Sequence, residues 1–93
     1  MLMEIKLETS DDKGTFFIEE NGQRLGEMVF SKYPDRILIE HTEVNEALQG
    51  KNAGKQLVAA GVEYARKNNL KVVPLCPFAR KVFERVKEYG DVL

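Results

Sequence analysis

Three places in this 93-residue chain carry groups able to do chemistry. Cys76 is the only thiol, and Pro77 follows it directly, so it falls where a new helix would begin. A sulfur there faces unpaired backbone N–H donors. It serves either as a proton donor or as a nucleophile that takes up an acyl group. His41, the only histidine, stands two residues before Glu43, and on a strand that spacing puts both on one face. A neutral imidazole accepts a proton from an ammonium group, while the carboxylate holds the cation. The third place is Gln49-Gly50-Lys51-Asn52-Ala53-Gly54-Lys55, a turn of small residues ahead of a helical pattern. A helix start offers N–H donors and the positive end of the macrodipole, small residues admit a phosphate, and Lys51 and Lys55 add positive charge. Each place also has a plainer reading. Cys76 suits a buried inert thiol, His41 a structural residue beside Ile37 and Ile39, and Gly54 a point of close packing.

The elements that must position these groups follow from periodicity. Ile5, Leu7 and Thr9 alternate with polar neighbours as a half-buried strand does, and Asp11 to Gly14 reads as a turn. Thr15 to Glu20 alternates again, with Phe16 and Ile18 on one side. Asn21-Gly22 is a hairpin signal, because both residues tolerate positive φ. The return strand runs from Arg24 to Phe30, with Met28 and Phe30 on one face, and a turn through Pro34 leads to a strand over 36–44. Four antiparallel strands in a meander result. The period then lengthens: Leu57, Val58, Gly61, Val62, Tyr64 and Ala65 mark a helix over 53–67, ended by Asn68-Asn69. Leu70 to Cys76 is a short buried strand, so strand, helix and strand suggest a parallel crossover. Pro77 opens a last helix whose apolar face is Phe78, Val82, Phe83 and Val86, and residues 87–93 form a short tail.

Composition bounds the class. The length suits one domain, here 1–93, and 14 basic against 15 acidic residues leave a net charge of −1, which gives no reason to expect a nucleic-acid partner. The start, Met1-Leu2-Met3-Glu4-Ile5-Lys6, turns charged too early for a secretory segment, and no apolar run approaches a membrane span. One cysteine and one histidine exclude an internal disulfide and an ordinary zinc site, so no metal is expected and a cytoplasmic location is. A Walker-type nucleotide site fails for want of a Gly-Lys-Ser/Thr ending.

The turn carries a resemblance. Gln49-Gly50-Lys51-Asn52-Ala53-Gly54 is similar to the Gln-x-x-Gly-x-Gly acetyl-CoA signature of the GNAT N-acetyltransferase superfamily, with Asn52 at the first signature glycine. Together with His41-Thr42-Glu43-Val44 and Val73-Pro74-Leu75-Cys76-Pro77-Phe78-Ala79, it resembles the YjdJ-type small acetyltransferases over essentially the whole chain. The resemblance implies a minimal GNAT-like α+β fold, an antiparallel β-meander followed by a β-α-β crossover and a C-terminal helix. It implies acetyl-CoA as cosubstrate, bound by Gln49, Gly50, Lys51, Asn52, Ala53, Gly54 and Lys55, with pantetheine passing Glu43 and Val44. It also implies a sheet that opens between its fourth and fifth strands, which suits Pro74, although a bulge would explain that proline equally.

The expected activity is transfer of acetyl to a small amine or a lysine side chain; a non-catalytic CoA- or acyl-CoA-binding module is the alternative. Larger members use a tyrosine acid within Ala-x-x-x-Tyr-Glu-Lys. Aligning Ala79 puts Phe83 at that position, and Phe83 has no proton to give. Cys76 becomes the leading catalytic candidate, followed by His41 and Glu43, with Tyr89 a substitute acid if the tail folds back. Compared with those members the chain is short of N-terminal helices. The acceptor site is therefore expected to be open, or completed by a partner protein or a second copy.

Overall fold

The computed structural model describes residues 4–93; residues 1–3, on which the reading of the start partly rests, lie outside them. Strands β1 (Ile5–Thr9), β2 (Lys13–Glu20), β3 (Gln23–Lys32) and β4 (Arg36–Val44) form the meander. Helix α1 (Ala53–Lys67), strand β5 (Lys71–Pro74) and helix α2 (Pro77–Arg85) complete the fold, with 3₁₀ turns at Glu46–Leu48 and Lys87–Val92. The sheet order is β1-β2-β3-β4-β5; every pairing is antiparallel except the parallel β4–β5 edge. This is the α+β order expected.

Local chemistry sets the boundaries. Asn21 and Gly22 both have positive φ, 52° and 78°, and close the tight hairpin between β2 and β3. Asn69, at φ 56°, ends α1: the Leu70 N–H donates to the Ala65 carbonyl at 2.8 Å and the Asn69 N–H to the Arg66 carbonyl at 3.4 Å. That pair of bonds is the Schellman pattern. It also shortens β5 from the expected 70–76, because Leu70 is taken by the cap and Leu75 and Cys76 already turn into α2. The strands of the first half are longer than expected, β2 starting at Lys13 and β3 ending at Lys32, since the ladder continues through residues that sequence reads as turn.

Two bulges reset the faces of the sheet. Ile18 pairs with Gly26 and Glu19 with Arg24, so Leu25 is one residue too many. Phe30 pairs with Ile39 and Val29 with His41, leaving Glu40 extra in β4. A bulge of this kind shifts the side-chain alternation by one residue. Thr42, opposite fully buried Met28, therefore joins the inner face with Ile37 and Ile39. His41 and Glu43 stay together but move to the outer face, opposite Val29 and Glu27. The expectation that His41 shares a face with Ile37 and Ile39 is corrected by that single inserted residue.

One apolar core fills the inner face. Leu57, Val58, Val62 and Ala65 of α1 pack on Phe16, Ile18, Met28, Phe30, Ile37 and Ile39, and α2 adds Ala79, Val82 and Phe83 beside β5. Tyr64 is core-associated as expected, its ring 5.5 Å from that of Phe30 and 5.9 Å edge-on to Phe16. Among the described residues, no helix covers the outer face. On it Phe17 lies beneath the Arg24 guanidinium at 3.9 Å, and Lys6–Glu19 and Arg24–Glu8 ion pairs cross the same surface. Long charged side chains thus shield what a helix does not. Among the described residues, no helix is long and apolar enough to cross a membrane, and no group of three or more His, Cys, Asp and Glu is placed to hold a metal.

The tail is tied to the far end of α1. Arg66 donates from Nε and Nη2 to the two Asp91 oxygens at 3.0 and 2.9 Å, and Val92 is buried. The hydrogen-bonded Arg66 guanidinium holds the Asp91 carboxyl below its usual range. A carboxyl lowered on folding contributes stability at neutral pH and loses that contribution as acid protonates it. Asp91→Asn should therefore lower the melting temperature at pH 7, by a small amount because the pair is exposed. The gap to wild type should close as the pH falls below about 4, measured by thermal melts across pH. In the core, Phe30→Ala should cost about 3–5 kcal/mol in denaturant unfolding.

Candidate functional site

The sheet comes apart where Pro74 ends β5. The last β4–β5 pair is Ile39 with Pro74, and the Ile39 carbonyl then accepts both the Leu75 N–H (2.9 Å) and the Cys76 N–H (3.2 Å). Beyond it β4 continues to Val44 without β5, and β5 turns into α2. A cleft of about 350 Å³ occupies the divergence. Its strand wall is Thr42 and Val44, its opposite wall Phe78 of α2, and its end the turn from Leu48 through Lys55.

That turn is built in steps. Asn45 caps the 3₁₀ turn by accepting the Ala47 N–H at 2.8 Å, and the Lys51 N–H donates to the Leu48 carbonyl at 3.2 Å. Gly50 (φ 79°) and Asn52 (φ 58°, ψ 29°) both take left-handed geometry. Asparagine can hold this geometry at position 52 because its short side chain tolerates the region. The first backbone bond of α1 runs from the Gln56 N–H to the Asn52 carbonyl at 3.0 Å, and Asn52 makes no side-chain cap. The N–H groups of Ala53, Gly54 and Lys55 consequently have no helical acceptor. No acidic residue lies in this first turn. Three donors are thereby left at the positive end of a 15-residue helix, a position that favours negative charge.

Gly54 has a packing reason as well. A Cβ there would stand 2.6 Å from Cζ of Phe78, so only glycine lets the ring close over the start of α1. The apolar ring and the polar amides are thereby brought to one cleft. Of the residues expected to bind cosubstrate, Val44, Gln49, Gly50, Asn52, Ala53, Gly54 and Lys55 all line it; Lys51 is exposed on the turn and does not.

The three catalytic candidates are divided. Cys76 is the N-cap of α2, 8% exposed, behind Thr42 and two residues before Phe78. Its Sγ accepts the Ala79 N–H at 3.4 Å and lies 3.4 Å from Thr42 Oγ1. His41 Nε2 and Glu43 Oε1 are 3.4 Å apart but half or more exposed on the outer face, away from Thr42 and the cleft. Tyr89 packs on Phe83, ring centroids 5.6 Å apart, and lies near Arg66. The tail does not fold back over the cleft: the opposite end of α1 is roughly 20 Å away at 1.5 Å per residue. Thr42, Leu48 and Phe78 are the lining residues that sequence reasoning missed. The signals were present: past Ile39 the less polar phase switches to Thr42 and Val44, and a glycine at 54 inside a helix calls for a bulky neighbour.

An antiparallel meander, a parallel strand–helix–strand edge and a glycine turn opening the central helix thus frame the cleft. Residues 15–92 match the GCN5-related N-acetyl-transferase family. The chain belongs to that family. Among solved structures, a GCN5-like putative N-acetyltransferase from Staphylococcus aureus is 38% identical over 97% of this chain and 86% of its own, with a TM-score of 0.71. The ribosomal-protein-alanine N-acetyltransferase from Brucella melitensis biovar Abortus shares 18% identity over 83% of this chain, with a TM-score of 0.69. An aminoglycoside N-acetyltransferase solved in complex with CoA shares 16% over 82%, with a TM-score of 0.62. At such identities the last two establish the fold alone. The chain spans 62% of the Brucella enzyme's length. No curated protein sequence matches it.

The left-handed turn yields a direct check. Asn52→Gly should leave stability within about 1 kcal/mol of wild type, whereas Asn52→Val should lose roughly 1–2 kcal/mol in urea unfolding, because a β-branched residue pays fully for positive φ.

Proposed function

We propose that this protein is an acetyl-CoA-dependent N-acetyltransferase that passes the acetyl group through Cys76 to a small amine or a lysine side chain. The observation that carries the reading is the cleft between β4 and α2, with free amides of Ala53, Gly54 and Lys55 at one end and Cys76 behind its wall. Family membership supports the same cosubstrate. The amides and the Lys55 charge suit a pyrophosphate, and Val44 and Phe78 suit a slender arm containing alkyl and amide groups.

The chemistry divides into two steps. The sulfur of Cys76 attacks the thioester carbonyl; an S–C bond forms, the bond to the CoA sulfur breaks, and the thiol proton passes to that sulfur. A neutral amine then attacks the acetylated Cys76; a C–N bond forms, the S–C bond breaks, and a proton returns to the thiol. The Ala79 N–H, donated to Sγ, favours charge on the sulfur during both steps. Phe83, buried where larger members have their acid, takes no part. His41 and Glu43 face away and are assigned no step in acetylating Cys76. The acceptor side would be closed by the acceptor itself, a partner protein or a second copy.

Acetyl-CoA at 100 times its dissociation constant should stabilise the fold by about 2.7 kcal/mol in a thermal melt. An unmoved melt at millimolar acetyl-CoA would refute the reading. Intact mass should show one acetyl adduct on wild type and on His41→Gln and none on Cys76→Ser, which should still bind. Thiol release against an amine panel identifies the acceptor. An adduct that no amine discharges would instead favour a non-catalytic CoA-binding module, the reading that the absent tyrosine favours.

A further inference from the structure

The geometry points to Thr42 as the positioning residue for Cys76: its hydroxyl stays hydrogen-bonded to the sulfur as thiol and as thiolate, and so aims and activates it. This inference rests on the reading of Cys76 as the acetyl carrier. Its basis is the contact between Thr42 Oγ1 and Cys76 Sγ at 3.4 Å, which joins residues 34 apart in sequence across the break between β4 and α2. The sulfur already accepts the Ala79 N–H at 3.4 Å, a fixed donor that cannot receive a proton in return. A hydroxyl can do both, because it carries one donor and two acceptor lone pairs and rotates freely. As a thiol, Cys76 donates to Thr42 Oγ1; once the proton has gone, Thr42 O–H turns and donates to the charged sulfur. Two donors then converge on the thiolate from different elements, one backbone and one side chain.

The fold places this hydroxyl by a specific device. Without the extra residue Glu40, regular alternation from Ile39 would turn His41 inward and Thr42 out. Glu40 accepts a hydrogen bond from Ser31 Oγ on the neighbouring strand, which ties the bulged residue to β3. Thr42 is partly buried and itself lines the cleft, and the sulfur it holds lies directly behind it.

The test reads the thiol directly and needs no acetyl-CoA. Cys76 is the only cysteine, so iodoacetamide alkylation followed by intact mass reports on it alone. A hydrogen bond from the hydroxyl stabilises charge on the sulfur, so Thr42→Val should alkylate at neutral pH on the order of tenfold or more slowly. Thr42→Ser, which restores the hydroxyl, should return to within a few-fold of wild type. Thr42→Val alkylating at the wild-type rate overturns the inference, as does Thr42→Ser behaving like the valine variant. Melting curves verify folding, and Thr42→Ala replaces valine with the same expected outcomes if valine does not pack. Slow alkylation of Thr42→Val in a chain whose wild type never acetylates would uphold the Thr42–Cys76 pair while refuting acetyl transfer.

Discussion

The carbonyl of Ile39 receives two N–H groups, from Leu75 and from Cys76, and the rest of the site hangs on that shared acceptor. Pro74 has no N–H to extend the ladder, so the next two donors both return to the last available carbonyl. This terminates β5, turns the chain into α2, and sets Cys76 at the helix start against β4. It also leaves the end of β4 open along one side. A sheet that closed fully here would bury the strand wall that Thr42 and Val44 now present to the cleft.

The second constraint is the bulge at Glu40, which acts on the same strand from its other neighbour. Because the β3–β4 ladder gains one residue there, the end of β4 turns its less polar side, Thr42 and Val44, to the opening created by Pro74. The split of the sheet and the phase of the strand are separate events in sequence, yet neither alone makes the site. A third contribution comes from Gly54, whose missing side chain lets Phe78 close the cleft against α1. The polar and apolar halves of the site are thus held together by close packing between two helix starts.

Much of this was legible in the residues. The hairpin at Asn21-Gly22, the helix over 53–67, its end at Asn68-Asn69 and the turn at 49–54 follow from local chemistry, and local chemistry decided them. Pro74 was legible too: the β4–β5 register runs without a bulge to the Ile39–Pro74 pair, and the sheet opens past it. The bulges at Leu25 and Glu40 were harder, because an inserted residue leaves no composition signal of its own. His41 continues the period-two spacing of Ile37 and Ile39 and so reads as their neighbour; only the switch of apolar character to Thr42 and Val44 marks the slip. The Thr42–Cys76 contact depends on both the bulge and the strand end, and no local pattern contains it. The role of Tyr89 depended on the direction of the tail, which Arg66, distant in sequence, decides through Asp91.

The proposed function requires a phosphate-bearing thioester in the cleft between β4 and α2. An amide chemical-shift titration of the labelled full chain with acetyl-CoA tests it most directly. The largest shifts are expected on the amides of Ala53, Gly54 and Lys55, with further shifts at Thr42, Val44 and Phe78, while Tyr89 and Asp91 at the far end of α1 stay unmoved. Saturable binding that shifted the outer face around Phe17 and Glu27 and left the Ala53–Lys55 amides in place would contradict it.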